Sequence, residues 1–190
     1  PYGAYLADGS EYTGAYEISE EELRAFHRER MEILWKAGAD LLAIETVPSM
    51  WEAQIMAQEA EKIGAKAWVT FSCRDGERTN KGDLLKEAAA AVDEIRSVEA
   101  IGVNCTHPKY ITRCIRQIRE ATHKPIIVYP NSGEEYDAKK KQWTGIRYGK
   151  TLGEYAPEWY REGARIIGGC CQTLSRQIRD IARNLKEMEM

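Results

Sequence analysis

The feature that most constrains this chain is a repeated unit: an amphipathic helix with a capping residue, a short turn, then a run of apolar residues that does not alternate. Ser19, with Glu22 three residues on, forms a capping box ahead of Leu23, Phe26, Ile33 and Leu34 at helical spacing. Gly38 closes that helix and "DLLAIET" (40–46) follows. Ser49 and Glu52 head a helix that stops at Gly64, before "AKAWVTFS" (65–72). Asp83 is the expected cap of a helix carrying Leu85, Ala88, Val92 and Ile95, before "VEAIGVNC" (98–105). Pro108 sits in the first turn of a helix with Ile111, Ile115 and Ile118 on one face, and "PIIVYP" (125–130) comes next. A long polar loop (131–150), in which Lys139, Lys140 and Lys141 read as solvated, leads to a helix through Trp159 and the strand "ARIIG" (164–168). A terminal helix with Ile178, Ile181, Ala182 and Leu185 inward ends the series.

Strands without alternation are buried on both faces, as in a parallel sheet covered by helices. The expected fold is therefore α/β, a (β/α)₈ TIM-type barrel. Such a barrel usually takes ~250 residues, and this chain has 190. We expect an incomplete portion with about five of the eight parallel strands. Residues 1–190 then form a single barrel domain, the C-terminal portion, with the first βα units absent. An open sheet has two unpaired edges, which predicts self-association through them.

Composition narrows the partners. The formal net charge is -3 and the basic residues are scattered among acids, so no face would track a phosphate backbone and nucleic acid is not expected. No apolar stretch approaches the ~20 residues that span a bilayer, so the expectation is a soluble, cytoplasmic protein with no membrane partner. The five cysteines are an odd number in a chain long enough to hold a core, which argues for reduced thiols over a disulfide framework.

Side chains at the C-terminal ends of barrel strands face the active site. "LLAIET" delivers Glu45 and Thr46 there, "WVTFSCRD" Ser72 and Cys73, and "AIGVNC" Asn104 and Cys105. "IIVYPNSGE" delivers Tyr129, Asn131 and Ser132, and "RIIGGCC" delivers Cys170 and Cys171. Three cysteines from two strands thus arrive at one rim, which is what a sulfur-rich zinc site with one open position requires. Gly168 and Gly169 are expected to let the backbone turn sharply and present both sulfurs. Other readings stay open: cysteines as core, a strained vicinal disulfide, a phosphate site after the last strand, or a redox pair. The disulfide gives no reason for Cys105, phosphate needs no thiol, and a redox pair is normally spaced CxxC.

"GVNC" (102–105) followed by "GGCC" (168–171) resembles the zinc signature of the homocysteine S-methyltransferases. "GAYLADGSEYTGAY" (3–16), "FHRERMEILWKAGADLLAIET" (26–46) and "VYPNSGEEYDA" (128–138) are similar to stretches of the members that use S-methylmethionine or S-adenosylmethionine. The resemblance implies that Cys105, Cys170 and Cys171 hold Zn²⁺ and that homocysteine takes the fourth position as a thiolate. That thiolate attacks the methyl carbon of the sulfonium donor and methionine forms. No side-chain general acid or base is implied, because the leaving group is a neutral thioether. The resemblance also implies that Glu45 receives the amino group of homocysteine, the alternative being an ion pair with a rim arginine. Asn104, Asn131 and Ser132 are expected to orient substrate. Betaine as donor, selenocysteine as acceptor, and a catalytically inactive zinc-binding fragment are the alternative functions. Cys73 and Cys114 match no ligand position.

Overall fold

The computed structural model describes residues 1–137, 140–144 and 150–188. A short helix α1 (Tyr2–Leu6) and a 3₁₀ turn (Ser10–Tyr12) precede α2 (Glu20–Lys36) and β1 (Leu42–Val47). Then come α3 (Met50–Lys62), β2 (Ala67–Phe71), α4 (Leu85–Asp93), β3 (Val98–Asn104), α5 (Pro108–Arg119) and β4 (Ile126–Tyr129). A small hairpin of β5 (Glu135–Asp137) and β6 (Gln142–Thr144) leads to α6 (Leu152–Glu162), β7 (Ala164–Ile167) and α7 (Ser175–Met188).

The main sheet has five strands in the order β1-β2-β3-β4-β7, every neighbouring pair parallel. A doubly wound sheet reverses its strand order at a switch point; here the order never reverses, so the strands are consecutive staves of a barrel wall. The outer face packs on the helices: Val69, Phe71, Ile101, Val103, Ile126 and Val128 are buried against α3, α4, α5 and α6. Alternate residues point the other way, and on β1 this leaves Ala43 and Glu45 exposed while Leu42 and Ile44 are buried. Among the described residues no helix is long and apolar enough to cross a membrane.

Gly102 of β3 is required by the sheet itself. A Cβ there would lie 1.6 Å from the carbonyl oxygen of Ile127, its register partner on β4. Close approach of the two strands is what brings the β3 end and the loop after β4 together.

Several local expectations are corrected. Asp83 does not cap α4, whose N-cap is Leu84 with no side-chain bond, and Ile95 lies just past that helix. The Asp83 carboxylate instead accepts from Met50 N at 2.7 Å and Thr79 Oγ1 at 3.3 Å, pinning the start of α3 to a loop. Ser49 caps α3, but Glu52 completes no capping box; its buried carboxylate turns to His27 Nε2 at 2.9 Å, Tyr2 N at 2.5 Å and the Tyr16 hydroxyl. On α2 the buried stripe is Leu23, His27 and Met31, while Ile33 and Leu34 are 61% and 55% exposed. Leu34 borders a cleft against Leu42 and Ala43 at the β1 edge, where no strand pairs among the described residues. On α7 only Ile181 is buried, Leu185 is half-buried, and Ile178 and Ala182 are exposed. The expected loop at 131–150 contains the β5–β6 hairpin; Lys139 falls outside the described residues, and exposed Lys140 pairs with Asp137 at 3.5 Å.

Candidate metal centre

The three rim cysteines meet because three backbone segments are sewn together above the β3–β4–β7 edge. Cys105 N donates to Tyr129 O at 3.3 Å, Gly168 N to Val128 O at 2.9 Å and Cys170 N to Pro130 O at 2.7 Å. The segment after β4 closes the seam, with Asn131 N donating to Thr106 O and Ser132 N to Cys171 O. The turns use strained backbone: Cys105 has φ 45°, Thr46 φ 59° and Gln172 φ 61°, in the left-handed region that L-residues rarely adopt. Gly168 and Gly169 have no positive φ, so Gln172 supplies the left-handed residue of that turn. Gly169 is needed for space, since a Cβ would lie 2.3 Å from the Thr173 side chain.

The Sγ atoms of Cys105 and Cys171 are 3.6 Å apart, those of Cys170 and Cys171 3.8 Å, and those of Cys105 and Cys170 2.6 Å. Thiolates at ~2.3 Å around a tetrahedral ion stand about 3.8 Å from one another. Two edges of the triangle already have that length, and the third would open on metal binding. All three residues are half-buried and carry free thiols. An all-sulfur, three-ligand set suits zinc or another soft divalent ion with one position left for substrate.

Hydrogen bonds from Cys105 and then Cys171 pull Cys170 down to about 3, against the effect of burial. Cys105 is held well above the ordinary thiol range by its hydrogen bonding with Cys170 and then Cys171, and by burial. Cys171 is lowered by Cys105 and raised by Cys170 and burial, and ends above its ordinary value.

Beneath the sulfurs lies Asn104, fully buried. Its Oδ1 accepts from Thr46 N at 2.8 Å and Thr70 Oγ1 at 2.9 Å, and its Nδ2 donates to Thr46 Oγ1 at 2.7 Å and reaches Cys170 Sγ at 3.9 Å. Thr70 Oγ1 also bonds the Tyr129 hydroxyl at 2.9 Å. Thr70 escaped the sequence reading; its signal is a hydroxyl inside the otherwise apolar run of β2.

Glu45 is exposed on the concave face rather than buried at its strand end. Partial burial and then the Cys170 charge raise its carboxyl, while the chain's N-terminus lowers it. Among the described residues no lysine or arginine side chain pairs with it, so the rim-arginine ion pair is not formed. Asn131 and Ser132 are nearly buried: Asn131 Oδ1 accepts from Gly133 N at 2.9 Å and Ser132 Oγ donates to Glu134 Oε2 at 2.8 Å. Asn131 also lines a cleft of about 240 Å³ next to Cys105, with Arg74, His107 and Tyr110 on its other walls. His107 starts α5 as its N-cap, its Nδ1 accepting from Lys109 N. Cys73 and Cys114 are buried apart from the trio, and the Cys73 thiol is pushed up by burial and by Cys114.

This chain is similar to known proteins over nearly its whole length. Residues 1–185 match the family model described as homocysteine S-methyltransferase. The protein "Homocysteine S-methyltransferase YbgG" of Bacillus subtilis (strain 168) is 47% identical over 190 residues, which are 98% of this chain and 60% of that protein. The "Selenocysteine Se-methyltransferase" of Brassica oleracea var. italica is 42% identical, over 97% of this chain and 55% of that protein. Among solved structures, the metallated form of the homocysteine methyltransferase MmuM from Escherichia coli superposes with a TM-score of 0.83 at 39% identity, covering 96% of this chain and 58% of that one. The chain thus spans less than two thirds of the length of these relatives.

Proposed function

Since the chain belongs to the homocysteine S-methyltransferase family, we propose that Cys105, Cys170 and Cys171 hold zinc in a site for methyl transfer from a sulfonium donor to homocysteine. The donor is S-methylmethionine or S-adenosylmethionine and the product methionine. The observation that carries this reading is the convergence of three Sγ atoms from the ends of β3 and β7 into one half-buried cluster. When bound there, zinc would hold the homocysteine sulfur as a thiolate at neutral pH, where a free thiol of pKa ~8.5 is mostly protonated.

The chain's own residues do the rest. Glu45, on the concave face and within electrostatic reach of Cys170, receives the homocysteine amino group. Asn104 holds the Glu45–Thr46 strand end beside the sulfurs through Thr46. Asn131 and Ser132 orient substrate from the segment after β4, held against Thr106 and Cys171. No side chain need move a proton to the leaving group, because a sulfonium departs as a neutral thioether. The unpaired cysteines suit a reducing, cytoplasmic setting. Homocysteine and the donor are the only partners the reading requires, in a homocysteine-binding barrel domain of which residues 1–190 form a part.

Selenocysteine is the second acceptor to consider, favoured by the 42% identical selenocysteine methyltransferase. A selenolate would occupy the same open position. The deciding experiment measures zinc per chain after purification under reducing conditions, then titrates homocysteine and selenocysteine by calorimetry. One zinc per chain with homocysteine binding supports the proposal. A folded, zinc-loaded chain that binds neither acceptor leaves only an inactive zinc-binding fragment.

A further inference from the structure

Asn104 has the bonding of a structural hinge pin rather than of a group that meets substrate. Its carboxamide can accept twice and donate twice, and all four capacities point at protein atoms: Thr46 N, Thr70 Oγ1, Thr46 Oγ1 and Cys170 Sγ. The orientation of the amide is set by chemistry, because the Thr46 backbone N–H can only donate and so must face the oxygen. Thr46 is thereby clamped at both its amide and its hydroxyl, in a left-handed conformation that a β-branched residue rarely adopts. Thr46 directly follows Glu45, and the fourth arm of the same amide reaches a sulfur of the metal trio.

We propose that Asn104 is a positioning residue that sets the metal centre against the Glu45 strand end, and that its N–H toward Cys170 Sγ tunes the donor strength of that sulfur. The proposal rests on the homocysteine reading for the meaning of Glu45, while its effect on the metal stands by itself. Thr70 and Tyr129 form the outer part of the device: the tyrosine hydroxyl donates to Thr70, and Thr70 donates to Asn104 Oδ1. A buried amide with all its bonds made has one low-energy orientation, which is what a residue holding two rim elements in register requires.

The test uses the chain loaded with Co²⁺ as a spectroscopic probe. Asn104→Asp keeps shape and both acceptor contacts, and the Thr46 hydroxyl can turn to donate to it, but the N–H facing Cys170 is replaced by an oxygen. The expected result is a shifted sulfur-to-cobalt charge-transfer band and about tenfold or greater loss of metal retention against a chelator, at a circular dichroism spectrum like the wild type's. A folded Asn104→Asp with the wild-type band and wild-type retention overturns the proposal. If that variant does not fold, Thr70→Val decides, since it frees one side of the carboxamide and touches no sulfur: a smaller shift of the same band supports the proposal and an unchanged band overturns it. Homocysteine is then added to the cobalt-loaded wild type. A spectrum that does not respond sinks the homocysteine reading, whatever the Asn104→Asp result says about the metal.

Discussion

The Sγ atoms of Cys105 and Cys170 lie 2.6 Å apart although the residues are 65 positions apart in the chain. Two βα crossings bring them there, and the end of β4 with the residue after it holds both backbones, Tyr129 O accepting from Cys105 N and Pro130 O from Cys170 N. The site is a property of the sheet's register, and the variants below separate its parts.

Cys105→Ser removes one of the proposed zinc ligands and substitutes a harder oxygen at a half-buried rim position. Zinc retention against a chelator should fall by about tenfold or more, with the circular dichroism spectrum unchanged. Retention equal to the wild type's would take Cys105 out of the site.

Glu45→Gln preserves shape and removes the charge that would meet the homocysteine amino group. A hydrogen bond to a charged group contributes about 1.5–3 kcal/mol, so homocysteine affinity should drop roughly 10- to 100-fold while bound zinc stays the same. Calorimetry on the zinc-loaded chain reads both, and unaltered affinity would end the role given to Glu45.

Gly102→Ala should destabilise the chain strongly, by about 3 kcal/mol or more. The added Cβ meets the Ile127 carbonyl at 1.6 Å, and backbone cannot step aside as a side chain could. Urea unfolding measures it; a variant within ~0.5 kcal/mol of the wild type would mean that β3 and β4 can separate freely.

Acid should loosen the α2–α3 contact through Glu59. Burial raises this carboxyl, but hydrogen bonds from Arg28, Lys62 and Arg24 outweigh it and bring it down to about 2. A folded pKa below the unfolded value of ~4.3 contributes stability that is complete above that value and is lost as pH falls through about 2. Comparing melting temperatures of wild type and Glu59→Gln between neutral and acidic pH should show the gap narrowing as pH falls; a constant gap refutes the assignment.

Among the described residues the edges of the sheet are unpaired at β1, beside α2 with its exposed Ile33 and Leu34, and at β7, which carries exposed Ile166. Unpaired edges beside apolar side chains favour self-association. Sedimentation across a range of concentrations should show oligomers, which Ile166→Lys weakens; a monomer at every concentration would rule this out.

The alternation of helices and apolar runs was legible because each element announces itself within a few residues: Ser19 with Glu22, Pro108 at a first turn, the apolar stretch around Ile126. The three cysteines were legible as a pattern because the C-terminal ends of parallel strands in one barrel wall share one rim, so thiols placed there come together. Elements at the margins were harder to read. Ile33 and Leu34 satisfy helical periodicity yet stay exposed, since periodicity names a face without saying whether anything packs against it.

By itself, then, the sequence determined the order of elements, the parallel sheet and the three thiols at its rim, all of which follow from local periodicity and side-chain chemistry. Only the tertiary structure decided that Asp83 holds α3 instead of capping α4, that Glu52 turns to His27, and that the Asn104 amide clamps Thr46 beneath Cys170. A polar side chain takes the best partner within about 3 Å. When that partner lies tens of residues away in sequence, no local spacing records it, and the folded register alone selects it.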